Sequence, residues 1–241
     1  MIPLKDDIKH RTFPFVNIAL IALNIAVFIF ELVIGDRLSR VMRANAFVPA
    51  DYTVGFTQAV ARYGFAKLLY SPFVSMFLHG GVVHIAGNML FLFVFGDNVE
   101  DRLGHLRYLV FYLLCGLAAT AVHFFVNPTS PLPIVGASGA IAGVLGAYLV
   151  LFPKARILTL VPLVIIFWAI RLPAFVVLPF WFVTQLFSGW QVLTTAVDTR
   201  VAWFAHIGGF LAGGLYLWFN RRRFRPIEEL PGPVAVYGDN D

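Results

Sequence analysis

Apolar stretches long enough to cross a lipid bilayer recur along this chain, and they constrain its fold more than any other feature. The first runs for 20 residues, from Phe15 to Ile34, and no small-residue cleavage site follows it. We therefore interpret it as an uncleaved spanning helix and not as a secretory signal. Charged residues make up only 13% of the chain, against about 25% in soluble domains. We expect an integral, multi-pass membrane protein.

Basic residues lie mostly at the ends of the apolar stretches. A net charge of +5 would suggest a nucleic-acid partner in a soluble protein, but in a membrane protein such residues set the orientation, and we expect no nucleic acid. Three of them lie in residues 1–14, before the first helix, and residues 221–241 begin with a run of arginines. Both ends are therefore predicted to be cytoplasmic, the second as a basic and then disordered tail.

If both ends of the chain lie on the cytoplasmic side of the membrane, the number of spans must be even, and six spans fit the apolar pattern. The predicted fold class is an all-α membrane protein, a six-helix bundle over residues 15–220. The fourth helix is too short to cross a bilayer core of about 30 Å, so it is predicted to be buried in the bundle. Residues 157–171, rich in β-branched and aromatic side chains, are predicted to form an interfacial hairpin or a re-entrant segment. The six helices are expected at Phe15–Ile34, His79 or Val82 to Phe95, Leu106–Val126, Ser138–Phe152, Pro173–Phe187 and Val201–Phe219.

The unusual polar groups of the membrane region occur at the starts of three helices. With six spans, the second, fourth and sixth helices run in the same direction, so their starts share one depth. His79, His84 and Asn88 lie at the first of these starts, Ser138 at the second and His206 at the third. Polar side chains within spans are costly and face the protein interior, which makes them functional candidates. His84 and Asn88 project from one helix face, whereas His79 is interpreted as structural.

Ser138 has two interpretations. A serine at a helix start is a good N-cap; the alternative is a nucleophile with His206 as its base, the minimal pair for covalent acyl transfer. No carboxylate is expected at this depth, the nearest being Asp198, which favours a Ser-His dyad over a triad. The helix start, the His84 ring and the Asn88 amide would stabilise an oxyanion. We expect no metal and no cofactor.

Small residues accompany these polar groups. Gly139 and Gly143 on the fourth helix, and Gly209 and Gly213 on the sixth, have the small-xxx-small spacing that lets two helices approach closely. A contact between Ser138 and His206 requires that approach, although packing alone also explains the glycines.

At these residues the sequence resembles the rhomboid family of intramembrane serine proteases. The family has His-x-x-x-Asn on its second helix, Gly-x-Ser-Gly at the start of the fourth and Ala-His-x-x-Gly-x-x-x-Gly on the sixth. These elements appear here as His84 to Asn88, Gly136-Ala137-Ser138-Gly139 and Ala205 to Gly213. The resemblance covers about Phe15 to Asn220 and implies a rhomboid-like bundle of the bacterial six-helix type.

The resemblance implies a role for each matching residue. Ser138 would be the nucleophile, His206 the general base and then acid, and His84, Asn88 and the Ser138 backbone N–H the oxyanion site. Where some relatives place a tyrosine against the catalytic imidazole, this chain has Ala142, which leaves the support of the His206 ring open. The glycines expected to pack around the site are Gly136, Gly139, Gly143, Gly209 and Gly213.

The same resemblance implies a substrate class, single-span membrane proteins cut near their outer end, usually after a small residue. The loop from Ser188 to Arg200 is predicted to be a lid with Gly189 as its hinge.

A catalytically inactive rhomboid-like protein that binds membrane clients is the alternative function. The charge pattern favours a bacterial cytoplasmic membrane, and the oligomeric state is left open.

Overall fold

A computed structural model describes residues 1–9, 11–163, 166–195 and 201–224. Asp198, Arg225 and the tail from Pro226 onward, which is predicted to be disordered, lie outside the described residues. Within them the α-helices are α1 (Phe15–Ile34), α2 (Leu38–Asn45), α3 (Ala50–Thr53), α4 (Phe56–Tyr63), α5 (Phe65–Ser75), α6 (Val82–Leu103), α7 (His105–Val126), α8 (Ser138–Leu151), α9 (Ala174–Thr195) and α10 (Trp203–Asn220). Two 3₁₀ turns, Gly35–Arg37 and Arg221–Arg223, and three strands, β1 (Ile2–Lys5), β2 (Arg156–Leu163) and β3 (Ile166–Pro173), complete the elements.

The predicted fold class, an all-α membrane bundle, is confirmed. Four helical stretches in the described part of the chain are long and apolar enough to cross a membrane: Phe15–Asn45, Val82–Leu103, His105–Val126 and Ala174–Thr195. The apolar helices α8 and α10 are shorter, at 14 and 18 residues. Helix α1 has the predicted bounds, and α7 and α8 agree with the prediction to within about one residue at each end.

Helix α6 is longer than predicted. It does not end at Gly96-Asp97-Asn98 but continues to Leu103. The polar residues of this extension have partners from the N-terminal part of the chain. The Asn98 amide donates to Asp6 at 2.8 Å, and Glu100 accepts from the backbone N–H of Asn17 at 2.6 Å. These bonds let a polar turn remain helical and buried.

Helix α9 also extends beyond its predicted end at Phe187, to Thr195. Residues 188–195 of the predicted lid are therefore helical, and the prediction of a loop there is wrong; residues 196–200 lie outside the described residues. Gly189 is not a loop hinge but a packing residue, because a Cβ built on it would lie 3.3 Å from the Phe204 ring of α10.

Helix α8 lies at the centre of the bundle. Each residue from Gly139 to Tyr148 is buried, and the helix packs against α6, α7 and α10. Its approach to α10 is so close that a Cβ on Gly209 would overlap the carbonyl oxygen of Gly139, and one on Gly213 would overlap that of Gly143. A side chain at either position would force the two helices apart.

The chain between α8 and α9 forms a hairpin, one of the two forms predicted for it. Strands β2 and β3 are antiparallel, with Arg156 opposite Pro173. Strand β1 pairs antiparallel with β2, Ile2 opposite Leu160, so the sheet order is β1-β2-β3. Strand β1 is not apparent from the sequence because four residues, one of them proline, carry too short a pattern.

Asp6 joins the N-terminal segment to the bundle. Its carboxylate accepts hydrogen bonds from the Tyr148 hydroxyl at 2.5 Å and from the Asn98 amide at 2.8 Å. Burial raises the pKa of Asp6 from 3.8 to about 6, although the Tyr148 hydrogen bond acts in the opposite direction. The ionised carboxylate is therefore disfavoured at this position.

The attachment of β1 is expected to weaken as the pH rises. Because the pKa of Asp6 is higher in the folded than in the unfolded state, its stabilising effect is complete below 3.8 and is lost as the pH rises through about 6. Corrected for intrinsic exchange rates, the β1 amides should exchange hydrogen faster at about pH 7.5 than at about pH 5. Asp6→Asn should remove most of that difference, whereas Asp36→Asn, at an exposed position, should leave it unchanged. Equal protection of wild-type β1 at both pH values would contradict this account.

Candidate active site

Ser138 is the first residue of α8, and its hydroxyl does not cap the helix. Ala137 occupies the N-cap position, without a side-chain cap bond, so the N-cap interpretation is wrong. The Oγ of Ser138 instead lies 2.8 Å from Nε2 of His206 on α10. The start of α8 directs its free backbone N–H groups and positive dipole end toward the same region.

The two side chains meet because α8 and α10 cross at glycines. The carbonyl oxygen of Gly139, the residue after Ser138, lies where a side chain on Gly209 would begin. Gly209 is about one helical turn from His206. The backbone contact between the helices thus sets the distance between the hydroxyl and the imidazole.

His84 approaches Ser138 from α6, beside Gly136. The φ of Gly136 is +122°, which L side chains rarely adopt, and a Cβ built there would lie 2.8 Å from His84 Nε2 and 3.5 Å from Ser138 Oγ. The backbone N–H of Gly80 donates to His84 Nδ1 at 3.4 Å, which assigns the ring hydrogen to Nε2. The space beside Gly136 is therefore flanked by an N–H donor and the serine hydroxyl.

Asn88 is held by His79, the histidine interpreted as structural. His79 is buried; its Nδ1 donates to the Phe77 carbonyl at 3.1 Å, so its Nε2 accepts from the Asn88 amide at 3.0 Å. The backbone N–H of His79 donates to the carboxylate of Glu31 on α1 at 3.0 Å. The Asn88 nitrogen carries a second hydrogen. Among the described hydrogen bonds, none joins Asn88 to Ser138 or His206.

The segment that precedes α8 is held by the helical loop α2–α5. The backbone N–H of Gly136 donates to the Ser75 carbonyl at 2.9 Å, and Ile134 pairs with Phe47 in a β-bridge. The buried Ser75 hydroxyl accepts from the Phe47 N–H at 2.7 Å. The helical loop α2–α5 therefore fixes the backbone at Gly136, next to Ser138.

Two residues of α9 contact His206 and are absent from the predicted site. The Oε1 of Gln185 lies 2.8 Å from His206 Nδ1, and the Trp181 ring centroid lies 6.0 Å from that of the imidazole. Both side chains support the His206 ring. They answer the question that the sequence left open, because Ala142 stands where some relatives have a tyrosine against the imidazole. An amide side chain in the middle of an apolar span is the signal that could have identified Gln185.

A cavity of about 20 Å³ opens beside Ser138. That volume admits about one water-sized group. Within the described ranges, no three His, Cys, Asp or Glu side chains lie together as metal ligands would. Its larger lining residues include Met76, Thr120, Ile134 and Val135. The glycines and alanines that line it are Gly116, Ala119, Gly136, Gly139, Ala140, Ala202 and Ala205.

The fold defines the chain as a multi-pass integral membrane protein. The family model of the Rhomboid domain matches residues 66–223, which is more than half of the chain, and the chain therefore belongs to the rhomboid family.

The chain is similar to curated rhomboid proteins of mitochondria and of a bacterium. It is 32% identical to presenilin-associated rhomboid-like protein A, mitochondrial, of Danio rerio, over 61% of this chain and 36% of that protein. It is 29% identical to Rhomboid protein 1, mitochondrial, of Saccharomyces cerevisiae, over 83% of this chain and 52% of that protein. It is 43% identical to Rhomboid protease GluP of Bacillus subtilis, over 34% of this chain and 15% of that protein. The chain spans about a third to a half of the length of the two mitochondrial relatives.

Proposed function

We propose that this chain is an intramembrane serine endopeptidase that uses a Ser-His dyad to cleave the transmembrane segments of single-span membrane proteins. The observation that carries the proposal is the 2.8 Å contact between Ser138 Oγ and His206 Nε2. A serine hydroxyl bonded to a histidine nitrogen is the minimal activated nucleophile. One relative, GluP of Bacillus subtilis, is named a protease.

In the proposed reaction the Ser138 proton passes to His206 Nε2 while Oγ bonds to the scissile carbonyl carbon. The carbonyl π electrons move to oxygen and form the oxyanion of a tetrahedral intermediate. As that intermediate collapses, His206 gives its proton to the amine nitrogen and the C–N bond breaks. Water then attacks the acyl-enzyme, passing one proton to His206; that proton returns to Ser138 Oγ as the carboxyl product leaves.

The oxyanion is proposed to lie near the His84 Nε2–H, the Asn88 amide and the backbone N–H of Ser138. The space beside Gly136, flanked by His84 and Ser138, supports this placement. Hydrogen bonds that form fully only with the oxyanion stabilise the transition state more than the substrate.

Removing one oxyanion donor should therefore act mainly on kcat. We expect His84→Ala and Asn88→Ala each to lower kcat by about 10²- to 10³-fold, with a much smaller change in KM. Steady-state cleavage of a fluorogenic transmembrane substrate measures both constants. Asn220→Ala, at the other end of α10 from His206, is the matched control. A rise in KM with kcat unchanged would show that these residues bind the substrate only.

The cavity beside Ser138 supports cleavage after a small residue. Its volume of about 20 Å³, bounded by Met76 and Ile134 as well as by glycines and alanines, would accept a methyl-sized side chain but not a leucine or phenylalanine. We propose that this cavity receives the side chain on the acyl side of the scissile bond.

The proposed location is the bacterial cytoplasmic membrane, with both termini cytoplasmic and the lipid bilayer and single-span proteins as partners. Basic residues near both ends support this orientation. Strand β1 and Asp6 pack near the C-terminal end of α8, whereas Ser138 begins that helix. With the N-terminus in the cytoplasm, Ser138 would lie toward the outer face.

The proposal is tested with purified protein, in detergent and in liposomes, and a panel of single-span proteins that differ at the residue before the scissile bond. We expect cleavage after alanine or serine, little after leucine, and none with Ser138→Ala. Stable complexes without cleavage would favour a client-binding rhomboid-like protein. Absence of cleavage across the panel in both settings would overturn the enzyme proposal.

A further inference from the structure

We infer that Gln185 is a positioning residue that holds the His206 imidazole in the tautomer that leaves Nε2 free to accept the Ser138 proton. The inference rests on the proposed function for its catalytic consequence, whereas the tautomer itself can be observed without activity.

Gln185 is a polar residue on the buried side of an apolar helix. It is 6% exposed, while neighbouring large side chains on α9, such as Val183 and Phe187, are more than half exposed. An amide buried within a membrane bundle is costly unless its donors and acceptor are satisfied. Its partners therefore determine what it does.

Those partners fix the orientation of the amide. The Gln185 Nε2 donates to the Trp181 carbonyl at 3.2 Å and to the Thr184 hydroxyl oxygen at 3.0 Å, and that hydroxyl donates in turn to the Trp181 carbonyl at 2.6 Å. Flipping the amide would place its oxygen against the Trp181 carbonyl, an acceptor against an acceptor. The oxygen therefore faces His206 Nδ1, 2.8 Å away.

An oxygen acceptor at this position determines the tautomer of His206. Nδ1 must carry the hydrogen in order to donate to Gln185, so in the neutral ring Nε2 is the unprotonated nitrogen. Nε2 is also the atom that lies 2.8 Å from Ser138 Oγ. The chain thus has the base-orienting partner of a triad without a carboxylate.

This arrangement accounts for how His206 can act without a charged partner. Gln185 holds the ring and its tautomer, and Trp181 lies against it at a centroid distance of 6.0 Å. Loss of the amide oxygen would leave the buried Nδ1–H of His206 without this acceptor, which should reduce the rate by about 10- to 30-fold rather than abolish it.

The test compares Gln185→Met with Gln185→Glu. Methionine has a similar length and fills the space but offers no comparable acceptor; glutamate keeps an acceptor oxygen. The matched control is Gln191→Leu, on the exposed side of the same helix. Thermal unfolding of each variant in detergent verifies that it folds.

The tautomer is read from the ¹⁵N chemical shifts of labelled histidine at a pH where the ring is neutral, with the His206 signal assigned by its loss in His206→Ala. Wild type, Gln185→Glu and Gln191→Leu should show a protonated Nδ1. Gln185→Met should show an increased Nε2–H population and a kcat lowered by about 10- to 30-fold, with KM changed by less than about twofold.

The outcomes separate the inference from the proposed function. If the wild type cleaves but Gln185→Met keeps its kcat and its protonated Nδ1, the inference is overturned and the enzyme proposal stands. An Nε2–H tautomer in Gln185→Glu would also overturn the inference, even if the methionine variant does not fold. If the wild type cleaves nothing, the enzyme proposal fails, and the histidine spectra still decide whether Gln185 sets the tautomer.

Discussion

Ser138→Ala and His206→Ala are each expected to reduce kcat for a transmembrane substrate to near the detection limit, by at least about 10³-fold. In serine proteases, removing the nucleophile or the base alone lowers kcat by as much as about 10⁶-fold, because the two groups act as one unit. The 2.8 Å bond between Ser138 Oγ and His206 Nε2 predicts the same behaviour here. The double variant should therefore be no slower than either single variant.

Steady-state cleavage in liposomes measures these effects, and thermal unfolding shows that the variants remain folded. Ser39→Ala, at an exposed position on α2, is the control and should cleave as the wild type does. If Ser138→Ala retained a tenth or more of the wild-type kcat, Ser138 would not be the nucleophile.

The second large effect is expected at the contact between α8 and α10. In Gly209→Ala the new methyl group would overlap the carbonyl oxygen of Gly139, which belongs to the helix backbone and cannot rotate away. The helices must separate, at a cost of about 1–3 kcal/mol or more. Because Ser138 and His206 are carried by these two helices, the variant should also lose most of its cleavage activity.

Gly214→Ala is the matched control for Gly209→Ala. A Cβ built on Gly214 would lie 3.6 Å from the nearest atom of α8, an ordinary van der Waals distance. Alanine also favours a helix more than glycine does. Thermal unfolding in detergent should show Gly209→Ala well below the wild type and Gly214→Ala at or above it. Equal melting temperatures for the two variants would show that the helices are not in the contact described here.

Much of the bundle could be predicted from the sequence because the membrane requires long apolar helices. The bounds of α1 follow from the length of one apolar stretch. The short α8 could be placed at the centre because 14 residues do not cross a bilayer core. The shared depth of Ser138 and His206 followed from counting spans, without any knowledge of how the helices pack.

The ends of α6 and α9 could not be predicted, because tertiary partners keep polar or small residues helical there. Asn98 on α6 is satisfied by Asp6, 92 residues away in sequence, and Gly189 on α9 packs against Phe204. No local pattern contains such long-range contacts. Strand β1 could not be predicted for the same reason, because its hydrogen-bonding partner, β2, is distant in sequence.

In the candidate site, the sequence identified the side chains whose type suggests chemistry and interpreted His79 as structural, but it missed Gln185, which orients His206. Gln185 and His79 have no motif of their own, yet each holds a predicted site residue: Gln185 contacts His206, and His79 contacts Asn88. A rule that treats every amide side chain in the middle of an apolar helix as a candidate would have included Gln185.

Covalent labelling of Ser138 tests the proposed Ser138–His206 dyad without the need for a substrate. The purified protein in detergent is treated with a fluorophosphonate, which reacts with activated serine hydroxyls, and the modified residue is mapped by peptide mass spectrometry. We expect one adduct, on Ser138, that is absent in His206→Ala because the hydroxyl has lost its base. An unlabelled Ser138 in a folded wild type that also cleaves no substrate, or equal labelling in His206→Ala, would contradict the dyad.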